Sequence, residues 1–421
     1  MSAATAPDLR VQSAQNAKYD VVIVGGGAGG IASAASLLKR RPSLKIAIVE
    51  PRDRHFYQPG WTMVGAGIFS FEETGRPMSE VMPAGVEWVR KPVAAFHPQS
   101  NEVALDDGAR LQYSFLIAAP GIKLDWAKVK GLEETLGRNG VTSNYREGMA
   151  QYTWELVQSL KSGTAIFTQS PMPIKCAGAP QKAMYLSCDH WARSGVLDRT
   201  EVHFCNAGAV LFGVADYVPA LMEYVKKYRA SLDFGENLVA VDGALRTAVF
   251  ERKAADGSTA SITRKFDMLH VCPPQTTPDF VRKSPLANEA GWIDVNQETL
   301  QHVKFANVFA LGDAASTANA KTAAAVRKQA PVVATNLLAA MDGATMPAKY
   351  AGYGSCPLTV ERGKIVLAEF GYGGKLQPTF PKWLNDGLKP TPQAWFLKAA
   401  LLPFVYWRLM LKGREWLAVP V

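Results

Sequence analysis

The chain has 421 residues, of which 48% are apolar and 20% charged, proportions that exclude a disordered tail, a collagen-like repeat and a small disulfide scaffold. At roughly 100 to 200 residues per domain the length allows two or three domains, each large enough to bury a core. Forty-six Lys and Arg against thirty-seven Asp and Glu leave a net charge of +9, which suits nucleic acid, an anionic membrane or anionic substrates, so its placement has to decide.

Met1 to Lys18 is polar and alanine-rich, without the apolar core of a cleaved export signal. No stretch approaches the ~20 uninterrupted apolar residues of a spanning helix. From Tyr19 a short β-branched strand, Tyr-Asp-Val-Val-Ile-Val, runs into Gly25-Gly26-Gly27-Ala28-Gly29-Gly30 and an Ala- and Leu-rich helix to Leu38. Gly25 permits the tight turn, Gly27 lets a pyrophosphate approach the backbone, and Gly30 lets the helix pack on the strand with its N-terminal dipole toward the phosphates. A second strand, Leu44 to Val49, ends in Glu50, twenty residues after Gly30, where a carboxylate accepts ribose hydroxyls. An ordinary glycine turn would lack this flanking strand, helix and acid.

Leu116 to Pro120 reads as a buried strand that ends in a turn at Gly121, and Asn307 to Leu311 as another that ends in Gly312-Asp313. Together they resemble the later FAD fingerprints of two-dinucleotide-domain flavoproteins, in which the Gly-Asp acid contacts the ribityl chain. The helix expected over Thr322 to Ala340 would then point its amino end at the flavin ring.

Residues 141–285 read as a second α/β unit, with strands at Thr164–Phe167, Glu201–Phe204 and Met268–Val271 and helices near 181–194 and 216–229. In a pyridine-nucleotide enzyme the first strand should open into another glycine loop. It opens instead into Thr168-Gln169-Ser170-Pro171-Met172-Pro173-Ile174-Lys175-Cys176, whose prolines lack the amide donors a second pyrophosphate requires. The loop delivers a cysteine, which suggests that electrons enter through sulfur.

Five cysteines, at 176, 188, 205, 272 and 356, are too dispersed for a disulfide framework or a Cys-x-x-Cys motif. No metal site is expected. Cys188, Cys205 and Cys272 read as small buried hydrophobes within helix or strand, and Asp189-His190 as a surface feature. Cys176 and Cys356 read as loop residues with unusual neighbours, Lys175-Cys176-Ala177-Gly178-Ala179-Pro180-Gln181-Lys182 and Gly354-Ser355-Cys356-Pro357.

These two segments, with His55-Phe56-Tyr57-Gln58-Pro59-Gly60-Trp61 and Lys321-Thr322-Ala323-Ala324-Ala325-Val326-Arg327-Lys328-Gln329, resemble the sulfide:quinone oxidoreductases, in particular the branch that includes the mitochondrial enzyme. Other branches carry a further cysteine in the first half of the chain, and this sequence has none before Cys176. The resemblance implies two Rossmann-like dinucleotide-binding domains, an α/β fold, and FAD held by Gly25, Gly27, Gly30, Glu50, Gln58, Pro59, Gly121, Gly312, Asp313 and Lys321. It implies that Cys356 takes the incoming sulfur and Cys176 faces the flavin. Lys175 and Lys182 would lower the thiolate pKa, although Lys182 reads equally well as a solvated lysine. A sulfane-sulfur acceptor such as glutathione, sulfite or coenzyme A would clear the persulfide, and a membrane quinone would take the electrons. The expected division is 17–140 with 286–345 for FAD, 141–285 for the second unit, and 346–421 for a C-terminal region with Cys356.

From Lys375 onward there are seven basic residues, at 375, 382, 389, 398, 408, 412 and 414, against Asp386 and Glu415. They alternate with Trp383, Trp395, Trp407, Trp416 and many Leu and Phe. Ala399 to Trp407 is the longest uncharged apolar run and contains Pro403, so residues 380–421 read as an interfacial segment on an inner (cytoplasmic) membrane, with lysines on anionic lipid. A core helix packed on the flavin domain is the competing reading. Clustering of charge with tryptophan argues against nucleic acid, and a homo-oligomer stays open. Competing functions are a type II NADH:quinone oxidoreductase, against which the missing second glycine loop speaks, and a flavin-bound scaffold without catalysis.

Overall fold

The computed structural model describes residues 17–253 and 257–420. Residues 1–16, which carry the reading of an absent export signal, and Val421 lie outside the described residues. β1 (Ala17–Val24) and β2 (Ile46–Val49) contain the β-branched runs 21–24 and 46–49, buried on both faces, the composition that parallel strands under helices require. Between them, α1 (Ala28–Arg40) buries one face and carries Lys39 and Arg40 in its last turn, where they complement the helix dipole. With β3 (Val86–Val89), β4 (Val93–His97), β5 (Glu102–Leu105) and β6 (Arg110–Ala118) these strands form a sheet in the order β3-β2-β1-β6-β5-β4.

A second sheet is wholly parallel. It contains β7 (Val141–Thr142), β8 (Gly163–Gln169), β9 (Thr200–Asn206), β10 (Ser231–Phe234) and β11 (Met268–His270) in the order β7-β11-β8-β9-β10. Helix α2 (Ala179–Arg193) follows β8 and starts with Pro180 in its first turn, where a missing amide costs no helical bond. The chain then returns to the first sheet. β12 (Val308–Ala310) pairs with β6, and α3 (Ala323–Met341), capped by Thr322, shares a core with α1. The result is an α/β protein with two Rossmann-like halves, the second of which also packs against the hairpin β13 (Gly354–Glu361) and β14 (Lys364–Phe370).

Four expectations are corrected here. Cys356 stands inside β13 rather than in a loop, whereas Cys272 lies just past β11 in a loop. Asp189 is buried, accepting hydrogen bonds from the Arg362 amide and Arg193 Nε, both at 3.1 Å, because β13 turns over the end of α2. The tail forms one continuous helix, α4 (Pro392–Lys412), of 21 residues with a mean hydropathy of 1.3. At ~1.5 Å per residue that suffices for a ~30 Å hydrocarbon core, against the expectation that no stretch would. Pro403 does not break it, because the turns on either side, Leu397–Leu401 and Val405–Leu409, widen to π-helical hydrogen bonding and absorb the missing donor. One face of α4 enters the core of the first half through Tyr406, Trp407, Met410 and Leu411. The opposite face leaves Phe396 and Phe404 more than half exposed, at 66% and 54%.

Candidate active site

One cavity of about 1080 Å³ runs between the two halves and under α4. At one end it is lined by the turn after β1. Gly25 has φ +102° and a Cβ there would lie 2.3 Å from the Ala119 carbonyl oxygen; a Cβ on Gly30 would lie 1.9 Å from the Gly25 carbonyl oxygen. Gly27, by contrast, faces open space. The backbone thus leaves a cradle at the amino end of α1 that only small residues permit. Glu50 is fixed beside it, accepting from the Gly26 amide at 2.8 Å and the Arg52 amide at 3.0 Å. Gly121, at φ +75° and unobstructed, Gly312 and Asp313 continue the same wall, and the Gly312 amide donates to Gln329 Oε1 at 2.9 Å. The amino end of α3 opens there too. Asn144 and Trp61 also belong to the cavity wall, and both amide atoms of the one and the indole N–H of the other are buried without a hydrogen-bond partner. A dinucleotide fits these features: anion-binding helix ends and a carboxylate for ribose.

In the middle of the cavity the loop after β8 crosses to the other half. The Cys176 amide donates to the Lys321 carbonyl at 2.8 Å, which holds Cys176 at φ +51° immediately before α2. Lys175 Nζ donates to Gln58 Oε1, and Lys182 Nζ lies 3.2 Å from Cys176 Sγ. Lys182 is only 3% exposed, so it is not a solvated lysine. The neighbouring Cys356 thiol, followed by the charges of Lys182 and Lys398, holds Cys176 well below the ordinary thiol range. The same contact, with burial, pushes Cys356 well above it. Burial is the first cause that raises Cys188, Cys205 and Cys272, with the negative charge of Asp189 adding to it at Cys188 and those of Asp233 and Glu236 at Cys205. Burial raises the Asp313 carboxyl as well and lowers Lys175 and Lys321, the latter to about 8.

Lys398 is the residue that sequence reasoning placed wrongly. It was expected to reach lipid; it is 2% exposed, donates to the Pro59 carbonyl at 2.7 Å and lies over the Tyr57 ring. Burial, then the nearby Lys182, lowers it to about 7. A lone charge between Leu397 and Ala399 was the available signal, since a cation inside an apolar run is either a snorkelling residue or a buried one. His55 has no signal in the sequence beyond its place in the segment 55–61. Its Nδ1 meets the Gly26 carbonyl at 3.1 Å and its Nε2 the Tyr406 hydroxyl at 2.7 Å, so it joins the glycine turn to α4, and burial lowers it to about 4.

Residues 19–166 match the family model of the pyridine nucleotide-disulphide oxidoreductases. The mitochondrial sulfide:quinone oxidoreductase of Mus musculus is 40% identical over 94% of this chain and 87% of its own length. The chain belongs to the sulfide:quinone oxidoreductases. The mitochondrial sulfide:quinone oxidoreductase of Dictyostelium discoideum is 42% identical, over 94% of this chain and 86% of its own length. The crystal structure of the sulfide:quinone oxidoreductase from Aquifex aeolicus superposes with a TM-score of 0.76 at 20% identity, covering 95% of this chain and 92% of that one, which bears on the fold alone. As a sulfide:quinone oxidoreductase the chain is an enzyme with a flavin-type cofactor, sulfide as electron donor and a quinone as acceptor. The NADH:quinone and scaffold alternatives give way to this assignment.

Proposed function

We propose that sulfide is oxidised at a Cys176–Cys356 disulfide with FAD as the flavin. Hydrosulfide attacks the Cys356 sulfur, the Cys176–Cys356 bond breaks, a persulfide forms on Cys356, and the bonding electron pair leaves with Cys176 as a thiolate. The supporting observation is the asymmetry of the pair: Lys182 stands 3.2 Å from Cys176, which is held well below the ordinary thiol range while Cys356 is pushed well above it. In thiol exchange the sulfur of lower pKa leaves faster, so attack at Cys356 is the favoured direction. When bound, FAD supplies a two-electron acceptor and donor between sulfur and quinone. Gly25, Gly27, Gly30 and Glu50 would hold its adenosine and phosphates, and Gln58, Pro59, Gly121, Gly312, Asp313 and Lys321 the remainder. Residues 17–140 and 286–345 would then form the FAD unit, 141–285 the second unit and 346–421 the C-terminal region.

Glutathione, sulfite or coenzyme A would accept the sulfane sulfur from Cys356. The quinone would enter beneath α4, where Pro357, Leu367, Phe380, Leu397, Leu402 and Met410 line the cavity, and the exposed Phe396 and Phe404 would rest on the inner membrane that holds it. Anaerobic mixing tests the reading. Sulfide should reduce the bound flavin within seconds and NADH should leave it oxidised, while Cys176→Ser and Cys356→Ser keep their flavin but lose sulfide-dependent quinone reduction and Cys188→Ser retains it. Rapid reduction by NADH, or near-normal turnover in either of the first two variants, contradicts it.

A further inference from the structure

Reduction of a quinone consumes two protons with its two electrons, and the sulfur chemistry above provides no proton donor on the quinone's side. The chamber under α4 contains a group suited to that task, on the reading that the quinone binds there. Glu369, at the end of β14, is 4% exposed and lines the cavity near apolar Leu367 and Phe380. Its Oε1 accepts from the Tyr353 hydroxyl at 2.6 Å and from the Thr379 hydroxyl, and its Oε2 accepts from the Thr379 amide at 3.1 Å. Its backbone is pinned by the Tyr217 hydroxyl, which accepts from the Glu369 amide at 2.9 Å and donates to its carbonyl at 3.0 Å.

The partners are all neutral. Among the described residues no ion pair engages Glu369. The cations that face it, Arg327 and Lys328 on α3, donate instead to the carbonyls of Trp416 and Leu417. A buried carboxylate without a cation is costly, and here three neutral donors shared between its two oxygens offset that cost. A glutamine would turn an amide donor toward one of them, so the local hydrogen bonding selects an acid, and it stands in the wall of the chamber. Tyr353 also lines the cavity, and burial, with Glu369 beside it, keeps its phenol protonated far above neutral pH.

We propose that Tyr353 and Glu369 form the proton relay to the quinone. Sulfide supplies the electron pair through the established activity. As the quinone oxygen takes up negative charge, the Tyr353 O–H bond breaks and the quinol O–H bond forms; Glu369 takes up a proton from water and passes it to the phenolate, which restores both groups. When Glu369 is protonated, the hydrogen bond to Tyr353 reverses and frees the phenol hydrogen for the chamber. A second passage completes the quinol.

The test separates protons from electrons. Tyr353→Phe and Glu369→Gln holoenzymes are assayed with sulfide and either a short-chain ubiquinone or ferricyanide, which accepts electrons without protons. Loss of a positioned general acid costs roughly 100-fold or more. Both variants should lose that factor in kcat with the quinone, keep KM for the quinone within about twofold, and turn over ferricyanide at close to the wild-type rate. Binding of a non-reducible quinone analogue should be unchanged. Equal losses with both acceptors would assign the pair a structural role and overturn the relay, as would wild-type quinone turnover in both variants. Tyr353→Phe retains the acid and its Thr379 contacts, so it decides the matter if Glu369→Gln fails to fold. A wild-type protein unable to couple sulfide to quinone would instead defeat the functional reading on which the relay rests.

Discussion

Replacing Lys182 with methionine removes one charge from the sulfur pair while keeping an unbranched buried chain. At 3.2 Å, two unit charges interact by about 5 kcal/mol at an effective dielectric of ~20. At ~1.4 kcal/mol per pKa unit this would approach four units. The full value is not expected, because the Cys356 hydrogen bond is the foremost cause of the lowered Cys176 pKa and the charge of Lys398 also survives the substitution. Roughly half, about two units, is the expected rise. The assay is the pH dependence of iodoacetamide labelling in the dithiol-reduced protein, with the labelled residue identified by mass spectrometry. Only the thiolate reacts, and the other four cysteines are all raised, so wild-type protein should label at Cys176 at neutral pH. In Lys182→Met the midpoint of the labelling profile should move up by about two pH units. A labelling profile that does not move would show that Lys182 is not what holds the thiolate, and the direction of sulfur attack argued from it would lose its support.

Gly30→Ala should abolish flavin retention and lower Tm, since its Cβ would sit 1.9 Å from the Gly25 carbonyl oxygen, whereas Gly27→Ala, facing open space, should fold at the wild-type Tm and lose only flavin affinity; flavin absorbance per protein and thermal melts distinguish the two. The Asp233 hydrogen bond raises the His203 pKa above its ordinary value, so its contribution to stability is complete below about pH 6.5 and is lost as pH rises through the folded pKa. The Tm difference between wild type and His203→Gln should therefore be larger at pH 6 than at pH 9, and a constant difference would refute the linkage. Phe396→Asp with Phe404→Asp should leave Tm and sulfide-dependent flavin reduction intact and reduce co-sedimentation with anionic liposomes; undiminished sedimentation would move the membrane contact elsewhere.

The dinucleotide half was legible because its signals are local. A β-branched strand, three spaced glycines and an acid at a fixed offset are set by chain geometry alone, and Gly25, Gly30 and Glu50 stand where that spacing put them. The cysteine site was legible by resemblance, but its electrostatics were not. Lys182 was ambiguous because burial of a lysine depends on what α2 packs against, and Cys356 was assigned to a loop because Gly354 and Pro357 mask a strand that tertiary pairing with β14 enforces. The tail was the hardest to read. Composition finds basic and aromatic residues but not which face of α4 they occupy, and the two faces have opposite fates: Tyr406 and Leu411 enter the core while Phe396 and Phe404 stay outside. Glu369 had no sequence signature, since its meaning comes from a Tyr and a Thr brought to it by separate segments.

The core of the first half contains Val21, Ile23 and Ile31 together with Phe309, Val333, Tyr406 and Leu411. During synthesis the glycine turn leaves the ribosome hundreds of residues before the groups that enclose it. The early strands must therefore wait, with apolar faces uncovered, until β12, α3 and α4 have emerged, and His55 and Pro59 lack their partners Tyr406 and Lys398 until nearly the whole chain is made. A nascent chain stalled before residue 390 would therefore lack the contacts that close the glycine turn, and would be a client for chaperones rather than a partly active enzyme.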